Sequence, residues 1–389
     1  MALGIVFSCA VVLSFASVAY VSKLACSVGA LANPGRRHIH SGLVPKLGGL
    51  SVALGLLLAV LFSIPLSREM AAVFVSSGLV LALGAYDDVK GASWREKLAV
   101  SVIATSVLIF YGGLEVRDLG NILGFGDIRL GILSVPFTCF ALFGIMNAAN
   151  LVDGLNGLLC GISIITFLSF ALLGYLTGNT GAALLSVSCL GAVIGFIPFN
   201  YPKAKIFLGD TGSLFIGFLM GAVSLMLIRG GAVKTDIPPL VLLLPIFDAL
   251  RVMGLRLFKG SHPFRPDRRH FHHLLMRSGI SCRSAVHLMW AISAVFAVFA
   301  VISRNLSSEF TFVSELSFMF VMGVVVMNLK SVKTVSSKVH GGNGRTRASK
   351  ILSNETGAIM ASTPETRTET VVKARTVRVK KEENTPTLL

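Results

Sequence analysis

"AAVFVSSGLVLALGAYDDVKG", Ala71 to Gly91, runs sixteen residues without a charge and then sets two aspartates, Asp87 and Asp88, side by side. The chain around it repeats that pattern. Of its 389 residues, 53% are hydrophobic and 14% charged. A water-soluble protein of this size could not keep so much apolar surface from water, so the runs face lipid and the protein is read as an all-α, polytopic integral membrane protein.

A membrane-crossing helix needs about 20 mostly apolar residues and at least about 17. Apolar runs bounded by charge, Gly or Pro give about eleven spans: 2–22, 47–64, 69–86, 98–114, 130–148, 158–177, 181–199, 211–228, 237–258, 284–303 and 310–329. The first run opens "MALGIVFSC" with no basic residue ahead of it, unlike a cleaved secretory signal, and is expected to be retained. Six cysteines, Cys9, Cys26, Cys139, Cys160, Cys189 and Cys282, show no CxxC spacing and imply neither disulfides nor a metal site.

Loops that stay in the cytoplasm are enriched in Lys and Arg. Numbered by the span they follow, the odd loops hold seventeen basic residues and the even loops six. The odd loops are therefore expected inside and the N-terminus outside, in a cytoplasmic (inner) membrane. Eleven spans also place the C-terminus inside. Residues 1–329 form the membrane domain in this reading. Residues 330–389, with twelve Lys/Arg against five Glu and much Ser and Thr, are expected to be a disordered basic tail that anionic lipid headgroups can attract. The net charge of +16 reflects orientation, and no nucleic-acid-binding motif is present.

The polar clusters all fall in odd loops. Asp87 and Asp88 open the third, "NAANLVDGLNG" (147–157) fills the fifth, "NYPKAKIFLGDTGS" (200–213) the seventh, and "HPFRPDRRHFHHLL" (262–275) lies in the ninth. If Asp87, Asp88, Asp153 and Asp210 converge, their mutual repulsion is tolerable only around a cation or a cationic substrate. Oxygen-only ligands select a hard ion, Mg²⁺ with Mn²⁺ as its substitute, which binds through one or two carboxylates plus substrate phosphates. Arg265, Arg268, Arg269, His270, His272 and His273 supply the opposite sign for phosphate oxygens. Carboxylates, a hard metal and a basic loop together describe phosphoryl transfer.

Plainer readings compete. Two carboxylates at a helix C-terminus oppose its dipole, which counts against a merely structural Asp87–Asp88 pair. The histidines lack the nearby Cys or Glu of a zinc site. Asp248, inside the apolar "LLLPIFDALRVMG", either pairs with Arg251 one turn on or belongs to the functional site. A transporter would place its acids near the bilayer midplane between inverted repeats, whereas here they sit in loops and no repeat is visible. A phosphatidyltransferase with CDP-linked donors would carry a spaced Asp/Gly/Arg signature, which is absent.

"YDDVKG", "NAANLVDGLNGL", "FLGDTGSL" and "PDRRHFHHLL" together resemble the polyprenyl-phosphate N-acetylhexosamine-1-phosphate transferases over residues 30–280. The histidine element is similar to the WecA/TagO-like branch, more than to the phospho-MurNAc-pentapeptide branch typified by MraY. The resemblance implies transfer of a sugar-1-phosphate, GlcNAc-1-phosphate foremost, from a UDP-amino sugar to undecaprenyl phosphate with release of UMP. It also implies a Mg²⁺ site on the cytoplasmic face, and it leaves a homodimer open. By position, Asp87 would be the base, lipid-phosphate contact or metal ligand, Asp88 and Asp153 its neighbours in the catalytic set, and Asp210 the Mg²⁺ ligand. Lys97, Asn150 and Asn156 join the substrate contacts. Asn200 and Phe207 match uridine-binding positions, Phe207 by stacking, while Arg265, Arg268, His270, His272 and His273 would hold the diphosphate or sugar. Many members have a second aspartate where this chain has Asn156, which keeps an acceptor but loses the charge. A contact to nucleotide or sugar is therefore its expected role.

Overall fold

The structure, a computed structural model, describes residues 2–32, 43–61, 67–260 and 269–329. The basic-tail reading, together with Arg265 and Arg268, lies outside the described residues. Among those residues the protein is helical apart from turns, an isolated bridge and one antiparallel pair of two-residue strands, Leu31–Ala32 (β1) with Val44–Pro45 (β2). The all-α membrane fold expected from the apolar runs is what forms.

In chain order the helices are α1 (Ala2–Ser27), α2 (Gly48–Leu61), α3 (Arg68–Lys90), α4 (Trp94–Ser106), α5 (Ser134–Val152), α6 (Leu158–Leu176), α7 (Thr180–Asn200), α8 (Gly209–Ile228), α9 (Ile237–Val241), α10 (Leu243–Leu257), α11 (Phe271–Arg277), α12 (Cys282–Ser303) and α13 (Ser308–Leu329). Eight stretches are long and apolar enough to cross a membrane: α1, α3, α5, α6, α7, α8, α12 and α13. The other three expected spans are helical but short or interrupted. α2 is described over 14 residues, and α4 passes after Ser106 into a wider π-turn at Val107–Tyr111. Run 237–258 divides at Leu242, because Pro245 has no N–H for the carbonyl one turn back and is tolerated only in a first turn. The figure of eleven therefore stays unconfirmed, with eight meeting the length and composition of a span.

Helix ends near the polar clusters are fixed by local chemistry. Ser67 caps α3 through Met70 N, and Gly91 closes it in a left-handed turn whose N–H reaches Asp87 O. Two residues later Ser93 and Glu96 form a reciprocal capping box that starts α4. The Asp87–Asp88 pair thus lies in the last turn of a tightly stopped helix, and not in the loop expected from the sequence.

α8 is the axis of the fold. Its apolar window is 94% buried, against 28% for α1 and 17% for α13, whose outward faces read as lipid-facing. α8 packs on α2, α3, α5, α6 and α7. Small residues set the closest approaches, as is usual where helices meet in membranes. A Cβ on Gly84 of α3 would fall 2.5 Å from Thr211 Cα, so only glycine lets α3 lie directly on the start of α8.

Candidate active site

The C-terminal ends of α3, α5 and α7 and the N-terminal end of α8 meet at one end of the bundle. Asp88 makes the first link. Its carboxylate accepts the N–H of Asp210 at 3.1 Å, the N–H of Thr211 at 2.8 Å and the Thr211 hydroxyl at 2.6 Å. These are unpaired N–H groups of a helix N-terminus, where negative charge is favoured. Gly209 turns the chain into α8 with φ +71°, and a Cβ there would fall 2.3 Å from Asp88 Oδ2. Asp88 therefore holds α3 to α8 and sets the position of Asp210.

Asp87 and Asp210 converge on one cation. Lys97 of α4 donates from Nζ to Asp87 Oδ2 at 2.6 Å and to Asp210 Oδ2 at 2.5 Å. The second oxygen of Asp87 accepts Ala92 N at 2.5 Å, fixing the carboxylate against the turn after α3. All three side chains remain 14–28% exposed, so ligands can reach them. Burial alone would depress the Lys97 ammonium, but the charges and hydrogen bonds of Asp210 and Asp87 outweigh it and hold its pKa above the usual lysine value.

Asp153, just past α5, shares the same field. Burial pushes its carboxyl well above the ordinary range, and the charges of Asp210 and Asp88 push it further. Asn150, one turn earlier on α5, donates to Ser213 Oγ at 2.8 Å and lies within reach of Asp210. The four aspartates predicted to converge do so, with Lys97 and Asn150 among them.

Asn200 and Phe207 are placed differently from a simple pair of nucleotide contacts. Asn200 is 2% exposed, and its amide serves the protein's own backbone: Oδ1 accepts Gly157 N at 2.8 Å and Nδ2 donates to Ile206 O at 3.0 Å. It ties the fifth loop to the seventh. The Phe207 backbone is bound to the β2–α2 segment through Pro45 O and Gly48 N, which leaves its half-buried ring beside the start of α8. The Asn156 amide reaches Pro202 O at 3.5 Å, again between the fifth and seventh loops.

The histidines close the other side. The His272 ring is 1% exposed and packs on the loop carrying Asp153, since a Cβ on Gly154 would fall 2.4 Å from its Nε2. Burial, with His273 beside it, lowers the His272 pKa to about 3, so the ring is neutral at physiological pH. His270 stacks on His272 at 6.0 Å between centroids and 9° between planes, and the His273 centroid is 4.2 Å from that of His272. Sequence reasoning left Thr211 and Ser213 unassigned, although "GDTGS" places both one to three residues beyond Asp210 on the first turn of α8.

Residues 70–228 match the model of glycosyl transferase family 4. An undecaprenyl-phosphate alpha-N-acetylglucosaminyl 1-phosphate transferase of Yersinia pestis is 33% identical over 310 residues, covering 78% of this chain and 83% of that protein. The chain belongs to this transferase family. The Escherichia coli K12 member is 32% identical over 297 residues, covering 73% of this chain and 79% of its own length. A probable undecaprenyl-phosphate N-acetylglucosaminyl 1-phosphate transferase of Bacillus subtilis is 31% identical over 288 residues, covering 73% and 80%. The matched family region contains all four aspartates, Lys97 and the Asn200 hinge, and it stops before Asp248 and the histidines.

Proposed function

We propose that this membrane transferase moves GlcNAc-1-phosphate from UDP-GlcNAc to undecaprenyl phosphate, releasing UMP, as an initiating step of lipid-linked envelope polysaccharide synthesis. The relatives' shared activity supports the acceptor and the sugar phosphate. The observation that carries the chemistry is the convergence of Asp87 and Asp210 on a single ammonium.

That convergence also supports a divalent cation. Two carboxylate oxygens already face one positive centre, both are hard donors, and both remain open to solvent. Among the described residues no group of three or more His, Cys, Asp or Glu is arranged to hold a metal alone. Such a set suits Mg²⁺, which takes one or two carboxylates and completes its shell with water and phosphate oxygens. Bound there, Mg²⁺ would neutralise charge on the transferring phosphate. Asp210 and Asp87 are its ligands in this reading.

The side chains supply position and charge. A phosphate monoester has its second pKa near about 6, so the lipid phosphate is largely dianionic at neutral pH and needs little help from a base. Direct in-line attack on the sugar-bearing phosphorus then depends on orientation and electrostatics. Lys97 keeps Asp87 and Asp210 together, Asp88 fixes the backbone that carries Asp210, and the His270–His273 segment presents ring nitrogens toward the Asp153 loop. Asn150, Asn156 and Phe207 are assigned to the nucleotide and sugar in this reading.

The decisive assay incubates purified protein with undecaprenyl phosphate, Mg²⁺ and UDP-GlcNAc, and measures UMP. Release that is stronger with UDP-MurNAc-pentapeptide would move the protein to the related branch, and no release with any UDP-sugar would end the transferase reading. Sidedness is part of the proposal: the site end faces the cytoplasm, the N-terminus lies outside and the C-terminus inside. In a cysteine-free background, Lys203→Cys at the site end should resist an impermeant thiol reagent in intact cells, and Thr180→Cys, at the other end of α7, should react. The reverse pattern would invert the topology.

A further inference from the structure

We infer that Asp248 is a positioning residue of this site, acting through His270; the inference rests on the transferase reading above. Asp248 lies on α10, is fully buried, and belongs to an apolar stretch where a carboxylate needs a strong reason to persist. Its Oδ2 meets His270 Nδ1 at 2.9 Å, while its Oδ1 accepts Phe271 N at 2.8 Å and Arg251 Nη2 at 2.8 Å. Arg251 Nη2 also donates to Arg269 O at 2.5 Å. Two side chains on one helix thus fasten three consecutive residues, 269 to 271, at the entry to α11.

The chemistry of the bond to His270 carries the rest. An ionised carboxylate can only accept, so the proton of that bond sits on Nδ1 and the other ring nitrogen, Nε2, is left for a second partner. Among the described residues, Nε2 of His270 and both nitrogens of His272 are buried without a hydrogen-bond partner, as are Nε and Nη1 of Arg251. Buried polar atoms are ordinarily satisfied, and each one that is not calls for an explanation, a functional role or a bound group among them. His270 stacks on His272, and His272 leans on Gly154 beside Asp153, so the ring fixed from α10 backs the ring that meets the acidic cluster's loop. A carboxylate behind a histidine commonly sets the tautomer and orientation of a ring that works in front of it. Among the described residues the hydrogen bonds of Asp248 go to Arg251, His270 and Phe271, and none to a site aspartate, so its role is positioning.

The full-length enzyme in lipid nanodiscs provides the test. Asp248→Asn should lower kcat roughly 10- to 100-fold, the range typical of a carboxylate orienting a functional histidine, with KM for undecaprenyl phosphate little changed. Asp248→Glu should recover part of that loss. The double variant Asp248→Asn/His270→Gln should be no slower than His270→Gln alone, because the first change acts through a ring the second removes. ¹⁵N spectra of histidine-labelled protein, assigned with His270→Gln, should show the His270 proton on Nδ1 in the native enzyme and a redistributed proton in Asp248→Asn. Active native enzyme with full kcat and an unaltered His270 signal in Asp248→Asn overturns the inference, as do additive losses in the double variant. Native enzyme that releases no UMP instead overturns the transferase reading, and the ring signal still decides for or against the Asp248–His270 bond.

Discussion

The two charged clusters of this protein use similar residues to opposite ends. Asp87, Lys97 and Asp210 form a cluster whose side chains are 14–28% exposed, whereas in Asp248, Arg251 and His270 none exceeds 10%. The open cluster draws its members from α3, α4 and α8 and stays within reach of solvent, as the proposed metal and phosphate would need. The sealed cluster joins one helix to one loop, and any charge it loses stays buried. Partly hydrated ion pairs add little stability, while breaking a buried one leaves an uncompensated charge. Removing a charge from the open cluster should therefore disturb chemistry, and removing one from the sealed cluster should disturb structure as well.

The largest effect expected from that contrast is catalytic. Asp210→Asn is nearly isosteric, so membrane abundance should hold, while turnover falls by roughly 10²-fold or more, the scale seen when one key electrostatic contact is lost. UMP release against Mg²⁺ concentration, at equal abundance, checks it. Normal turnover with an unchanged Mg²⁺ curve would remove Asp210 from the metal site.

The sealed cluster should answer in stability. Arg251→Met takes away the guanidinium paired with Asp248 at 2.8 Å and should destabilise the protein by about 3–5 kcal/mol, the range for a broken buried pair. Thermal unfolding in detergent would show it as a lowered midpoint. A midpoint equal to that of Lys97→Met would erase the distinction between the clusters.

Acid sharpens the comparison at a smaller scale. His272 is held neutral in the folded state, with its pKa lowered to about 3 from the usual histidine value. Between pH 6.5 and 3 the unfolded chain binds a proton that the folded chain refuses, so stability is present above about pH 6.5 and falls as the pH drops through that window. A loss of about 1 kcal/mol by pH 5.5 is expected, and His272→Leu should flatten that part of the curve. An acid limb unaffected by the substitution would place the titration elsewhere.

Asn156→Asp should give the smallest change. It restores the charge many members carry, at a half-buried position next to Asp153. If Asn156 contacts the donor, KM for the UDP-sugar should shift severalfold while kcat holds. Collapse of kcat at constant KM would count against that contact.

The four aspartates were legible in the sequence because acids are scarce among apolar runs, and those following a run must sit at its end. Their convergence could be argued from sidedness and charge. Lys97 was expected only as a substrate contact, and its place between Asp87 and Asp210 could not be argued, since nothing local to "WREKL" announces it. Asn200 reads the same in sequence whether its amide meets a nucleotide or, as here, spans Gly157 and Ile206. Asp248 had two readings, pairing with Arg251 or serving the site; the fold shows the pairing and adds a bond to His270 that the sequence does not announce.

Composition and periodicity by themselves determined that the protein is helical, membrane-embedded and polar at one end, because hydrophobic transfer acts on each run independently of its neighbours. Whether the short runs at α2, α4 and α9–α10 complete a span, which carboxylate caps α8 and which meets the lysine, and that a histidine loop is pinned from inside the bundle were decided only by tertiary structure. Those outcomes turn on contacts between residues such as Asp88 and Thr211, or Asp248 and His270, that are brought within hydrogen-bond distance by close helix packing and carry no local signature in the chain.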